Sequence, residues 1–282
     1  MKRILRWIGL GVAGLATVVA FVALGAFAAS EVMIRAHAPK AKVELAASHD
    51  PGAVMRGKRI ATVYGCHDCH GAQLTGRLFF DEMPLGRASG PNLSKAMVHQ
   101  SDVDLARAIR TGVAADGRQL WIMPSDAFAQ LSDGETADLI AYLRTFPAKD
   151  GQATVRQFGP VGRIGVLLGK FRSAPQMLKT DGQRRPVDLG PQYAQGRSLA
   201  RACVECHGQD LKGSEGLKSP DLAIAGAYDP ADFERLLRTG VAAGNRKLGL
   251  MTEVAPARFN AFSHEEIGAL HAYLKARAEQ PS

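Results

Sequence analysis

The four cysteines of this 282-residue chain fall into two identical patterns, and none is left over. Cys66-His67-Asp68-Cys69-His70-Gly71 and Cys203-Val204-Glu205-Cys206-His207-Gly208 share the spacing Cys-x-x-Cys-His-Gly. The surrounding sequence repeats with them, so most of the chain reads as one small domain written twice. Gly57-Lys58-Arg59-Ile60-Ala61 precedes the first motif, and Gly196-Arg197-Ser198-Leu199-Ala200 precedes the second. Gly90-Pro91-Asn92-Leu93 then matches Ser219-Pro220-Asp221-Leu222. Arg110-Thr111-Gly112-Val113-Ala114-Ala115 matches Arg238-Thr239-Gly240-Val241-Ala242-Ala243. Each copy next places a methionine in a loop, Met123 or Met251. Each closes on Ala141-Tyr142-Leu143-Arg144 or Ala272-Tyr273-Leu274-Lys275.

The local signals in both copies are helical. Residues 102–110 and 230–238 carry apolar side chains at helical spacing, and a Thr-Gly pair stops each run. Ser132-Asp133-Gly134-Glu135 and Ser263-His264-Glu265-Glu266 have the form of capping boxes that open the last helix of each copy. No strand alternation stands out. The sequence therefore predicts an all-α protein with two tandem domains of three or more helices each, at residues 51–149 and 193–282. A connector, residues 150–192, separates them. Long loops in domains of this size need a rigid body to pack on, and a large cofactor would supply one.

Lys2, Arg3 and Arg6 precede an uncharged, almost wholly apolar run, residues 8–29. As a helix this run covers about 30 Å, the thickness of a bilayer core. The preceding positive charges keep the N-terminus in the cytoplasm and send the rest of the chain out. Residues 1–30 are read as a single inner-membrane span with both domains in the periplasm, followed by a linker at 31–50. The alternative is a soluble periplasmic protein freed by cleavage, for which Ala26-Phe27-Ala28 offers a site. The run is longer than the apolar region of a signal peptide, about 7–15 residues, which favours the anchor. The net charge of +8 resides in the leader and in the connector, with both domains close to neutral. Nucleic-acid binding would want a basic domain face, so no nucleic-acid partner is expected. The connector carries residues 161–171, apolar with basic flanks. It is expected to pack between the domains, or else to lie on a membrane surface or a partner.

Cys-x-x-Cys-His is the attachment pattern of a c-type haem. Two thiols bond the haem, and the next histidine reaches its iron. Cys66, Cys69 and His70 would serve one haem and Cys203, Cys206 and His207 a second, giving two covalently bound haem c. A structural zinc site wants four ligands from two local pairs, and each copy offers one pair. A redox Cys-x-x-Cys wants a βαβ setting, and none is visible. Two disulfides would close strained loops and leave the histidines unexplained. Met123 and Met251 are the candidates for the second axial ligand, since a thioether raises the potential and closes the iron to small molecules. Met83 and Met97 lack counterparts in the second copy and are read as packing. Carbonyls at Pro91 and Pro220 are candidates to accept from Nδ1 of His70 and His207 and so fix their orientation. His67 is expected to face solvent. His99 and His271 are alternative ligands, and His37, His49 and His264 are read as surface residues.

Residues 51–149 and 193–277 resemble the class I cytochrome c family. The tandem arrangement is similar to the membrane-anchored cytochrome subunits of periplasmic dehydrogenases that oxidise alcohols, aldehydes or sugar acids. Gly65-Cys66-His67-Asp68-Cys69-His70-Gly71-Ala72-Gln73-Leu74-Thr75-Gly76 and Met123-Pro124-Ser125-Asp126-Ala127-Phe128 carry that likeness. The resemblance implies iron ligation by His70, Met123, His207 and Met251, and electron transfer from a dehydrogenase or quinol toward a respiratory terminal oxidase. Two other functions compete with a carrier that has no substrate of its own. One is a two-haem enzyme, a peroxidase or sulfur-compound dehydrogenase, with one open iron. The other is a cytochrome subunit of a haem–copper oxidase.

Overall fold

The computed structural model describes residues 2–181 and 184–280, which include every predicted site residue. Helix α1 (Lys2–Arg35) is unbroken over 34 residues. It is long and apolar enough to cross a membrane, and its apolar window is not buried in the protein. A signal sequence passes the same test. Its last turns behave differently. Ser30 and Ile34 are buried, and the Ile34 carbonyl accepts a hydrogen bond from the Trp121 indole at 3.2 Å. Beyond α1, the Ala36 carbonyl accepts from Gln119 and the Ala38 amide donates to Gly117, at 3.1 and 3.0 Å. The segment expected to be a linker then runs along the first domain, where the Ala47 amide donates to Asp102 at 2.8 Å.

The first domain contains α2 (Ala53–Val63), α3 (Cys66–His70), strands β1 (Arg77–Glu82) and β2 (Gly86–Gly90), and helices α4 (Leu93–Ala96), α5 (Asp102–Thr111), α6 (Ser125–Phe128) and α7 (Asp133–Leu143). The connector supplies β3 (Arg156–Phe158), α8 (Pro160–Leu167) and α9 (Ala174–Thr180). The second domain contains α10 (Ala194–Ala200), α11 (Val204–His207), α12 (Pro230–Thr239), the two-residue strands β4 (Val241–Ala242) and β5 (Arg246–Lys247), α13 (Leu250–Phe259) and α14 (His264–Ala278).

The predicted helix signals are realised. Gly112 and Gly240 end α5 and α12 in the left-handed conformation, at φ 67° and 72°, which glycine adopts without steric cost. Both capping boxes close, Ser132 with Glu135 on α7 and Ser263 with Glu266 on α14. In each domain the first helix crosses the last at a glycine. A Cβ on Gly57 would lie 2.0 Å from the Asp138 carbonyl oxygen, and one on Gly196 would lie 2.2 Å from that of Ala269. These glycines let α2 and α10 seat Ala61 and Ala200, both fully buried, against α7 and α14.

Two findings depart from the sequence reading. The fold is helix-rich but includes a three-stranded antiparallel sheet, ordered β1-β2-β3. The first copy has extra sequence between its histidine and its proline, 21 positions from His70 to Pro91 against 13 from His207 to Pro220. The β1–β2 hairpin occupies that extra length. A register shift between Leu78 and Phe80 breaks the two-residue alternation that would have announced it. The connector, expected between the domains, packs on the first domain and the end of α1. β3 covers the open edge of β2. Phe158 and Phe171 surround Trp121 at ring distances of 5.2 and 5.7 Å. From α8, Arg163 donates to Ser30 at 2.9 Å and pairs with Glu31 at 2.7 Å, and it stacks over the Phe27 ring at 4.1 Å. An exposed sheet edge and an aromatic socket on one domain outweigh the space between two.

The two domains therefore meet directly, and one apolar core runs through both. Two of their polar contacts have the same form in opposite directions, although the arginines that make them stand at different places in the repeat. Arg59 of the first domain donates to the Ala261 carbonyl at 3.0 Å and pairs with Glu266 at 2.5 Å. Arg201 of the second donates to the Gln130 carbonyl at 2.6 Å and pairs with Glu135 at 2.7 Å. Each arginine thus reaches the capping-box glutamate of the other domain and the carbonyl two residues before its capping serine.

Candidate haem sites

Gly65, at φ 66°, ends α2 and turns the chain into α3. Cys66 and Cys69 lie three residues apart on that short helix and so share a face. The His70 ring follows, with its Nδ1 3.1 Å from the Pro91 carbonyl oxygen. In the second domain α11 does the same: His207 Nδ1 lies 2.9 Å from the Pro220 carbonyl oxygen. Nδ1–H donates in each bond, so Nε2 is left as the lone-pair nitrogen, the form that ligates a metal. Burial pushes both imidazoles below their usual pKa, against the opposing effect of the carbonyl bonds, and so favours the neutral ring.

The loop behind each histidine touches the attachment segment. A Cβ on Gly90 would lie 2.1 Å from the Cys69 carbonyl oxygen and 3.1 Å from His70 Nδ1. At the matching position the Ser219 hydroxyl donates to the Cys206 carbonyl. Glycine by close approach and serine by a hydrogen bond thus hold the proline carbonyl beside its histidine.

No disulfide joins any of the four cysteines. Burial pushes Cys66 and Cys203 up to about 12 and Cys69 up to about 11, and raises Cys206 as well. Thiols held in the protonated form make poor redox nucleophiles, which argues against a thioredoxin-type role. Among the described residues no group of three or more His, Cys, Asp or Glu side chains is placed to hold a bare metal ion. Met123 and Met251 pack against the same apolar core as Cys66 and Cys203. Paired thiols, a histidine with Nε2 left available and a thioether packed on the same apolar core form a donor set that fits covalent haem.

Several other sequence expectations change. Met97 is core, but Met83 is 53% exposed in the hairpin turn and packs against little. His67 does not face open solvent. It is half-buried, with Nε2 3.1 Å from the Tyr142 hydroxyl, because the end of α7 and the turn after it bring Tyr142 and Phe146 over it. His271 is buried and stacked on Phe233, with Nε2–H donating to the Ala225 carbonyl oxygen at 3.2 Å. His99 is exposed.

The sequence reading missed the groups that join the two sites. Gln209, just after His207, donates to Asp126 at 2.9 Å and accepts from Gln130 at 2.6 Å, both in the methionine loop of the first domain. In return Arg258, in the methionine-loop helix of the second domain, donates to Asp68 between Cys66 and Cys69 at 2.8 Å. The one trace of this in the sequence is an acidic residue at the same place in both motifs, Asp68 and Glu205.

The sequence matches the cytochrome c family twice, over residues 54–147 and 193–278. It is 25% identical over 264 residues to the fructose dehydrogenase cytochrome subunit of Gluconobacter japonicus, covering 82% of this chain and 54% of that protein. It is 28% identical over 200 residues to a diheme cytochrome c-type protein of Cereibacter sphaeroides, covering 64% of each. The chain thus spans between about half and two thirds of the length of these curated relatives. With matched attachment segments in matched helical domains, the chain belongs to the cytochrome c family.

Proposed function

We propose that this protein is a two-haem electron carrier working outside the cytoplasm. The observation that carries the reading is the duplicated geometry: in both domains a Cys-x-x-Cys-His helix presents its histidine with Nδ1 at a proline carbonyl. Cys66 and Cys69 would hold one haem c, and Cys203 and Cys206 the other. His70 and Met123 would ligate the iron of the first haem, and His207 and Met251 that of the second. When bound, the haem supplies one-electron chemistry at iron. The chain's own part is to orient and tune. The Pro91 and Pro220 carbonyls fix the imidazoles and raise their basicity. The apolar core restricts solvent, and a methionine in each domain keeps the site closed to small molecules and its potential high.

The donor we favour is a dehydrogenase, or quinol, and the acceptor a respiratory oxidase. Similarity to a dehydrogenase cytochrome subunit supports the first of these. Helix α1 would anchor the carrier to the inner membrane, with both domains in the periplasm.

Haem quantitation and absorption spectroscopy on the full chain test the reading. Two low-spin haems per chain, each with the ferric methionine-ligation band, are expected. One high-spin haem that binds carbon monoxide when reduced would replace the carrier with an enzyme. Absence of covalent haem would overturn the proposal, and co-purification of a dehydrogenase from solubilised membranes checks the donor.

A further inference from the structure

Arg258 lies on α13, seven residues after Met251, and is only 8% exposed. Its Nε donates to Asp68 at 2.8 Å and its Nη1 to Glu205 at 2.7 Å. Asp68 and Glu205 hold the same position of the two attachment motifs, each immediately before the second cysteine. One guanidinium therefore joins equivalent points of both sites. Gly65 makes room for it: a Cβ there would lie 2.2 Å from Arg258 Nη2, so the guanidinium rests against bare backbone.

This arrangement is costly for packing alone. The Arg258 guanidinium is taken out of water while Asp68 and Glu205 keep part of their exposure, so the hydration lost by the cation is offset only by its two ion pairs. Arginine also has no counterpart in the other domain, where residues 124–131, between Met123 and the capping Ser132, contain none. What a single planar cation does, and apolar packing does not, is fix two carboxylates on one rigid fork. Those carboxylates adjoin Cys69 and Cys206.

We infer that Arg258 is the positioning residue of a direct electron-transfer junction between the two haem sites, holding the attachment segments face to face and sharing one positive charge between them. The inference rests on the two-haem reading above. In the transfer one electron leaves the reduced site, which is oxidised, and arrives at the other, which is reduced. No bond forms or breaks. A cation adjoining both sites favours the electron-rich state of each, and the flanking carboxylates do the opposite.

The experiment uses the full chain matured with haem c. Haem quantitation on the unaltered protein comes first, and fewer than two haems would sink the underlying reading before any variant is compared. Potentiometric titration and flash-initiated internal electron transfer are then measured for R258Q, R258K, D68N and E205Q. R258Q should shift both midpoints downward and slow internal transfer. R258K should recover the midpoints but not the rate, because it keeps the charge without the fork. D68N should raise mainly the midpoint of the first site and E205Q mainly that of the second, and these single neutralisations keep the test intact if R258Q does not fold. Midpoints unmoved by all the variants, a shift confined to the second domain in R258Q, or internal transfer at the unaltered rate in R258Q would each overturn the inference.

Discussion

Arg201, in the turn leading into the second attachment segment, pairs with Glu135 in the first turn of α7 at 2.7 Å. The same glutamate closes the Ser132 capping box, so one carboxylate serves a helix end and a domain interface together. Burial acts against its ionisation, but the Arg201 and Ser132 hydrogen bonds outweigh that and hold the Glu135 carboxyl below the usual 4.5. A depressed folded-state pKa adds stability that is present above the unfolded value and disappears as pH falls through the folded one. Melting temperature and compactness by small-angle scattering are expected to hold steady from neutral pH to about 5, then decline in acid. E135Q should already be weaker at neutral pH and should lose less on acidification. An identical acid decline in E135Q would show that other carboxylates are responsible.

The crossings at Gly57 and Gly196 leave no room for a methyl group. G57A and G196A are each expected to cost about 1–3 kcal/mol through forced separation of the first and last helices. Denaturant unfolding of the haem-loaded chain measures this. A neutral substitution at either place would mean that the helices can part without loss.

Replacing Met123 or Met251 singly with alanine should abolish the ferric methionine band of one domain and leave that of the other. The altered site should then bind carbon monoxide when reduced, because nothing blocks the iron. Retention of the full band in M123A would assign that ligand to a different side chain.

The His67–Tyr142 hydrogen bond exists only in the first domain; Tyr273, at the matching place, donates instead to the Val187 carbonyl at 2.9 Å. Y142F should destabilise the chain by about 1 kcal/mol, the net worth of a half-buried hydrogen bond. A shift of much less than that in chemical unfolding would indicate that water replaces the hydroxyl.

Features set by neighbours in sequence were readable from it. Ser263 and Glu266 announce the start of α14, Gly240 the end of α12, and the repeated Cys-x-x-Cys-His spacing the family. The proline carbonyls at Pro91 and Pro220 were readable because the repeat gave two matched instances. Features set across the fold were not. The register shift between Leu78 and Phe80 hid the hairpin, and the packing of Phe158 and Phe171 on Trp121 cannot be read from the connector alone. Arg258 looks like any arginine on a helix until Asp68, 190 positions away, arrives beside it.

The docking of the last turns of α1 has a mechanical consequence. Ser30, Glu31 and Ile34 are fastened to Arg163 and Trp121 while still part of a continuous helix. A flexible tether lets its cargo swing and sweep out a volume, so that encounters depend on leash length. An unbroken rod bolted to its load gives one height and one heading. In the anchored form proposed above, the membrane that held the apolar end of α1 would also set which flank of the first domain a redox partner meets.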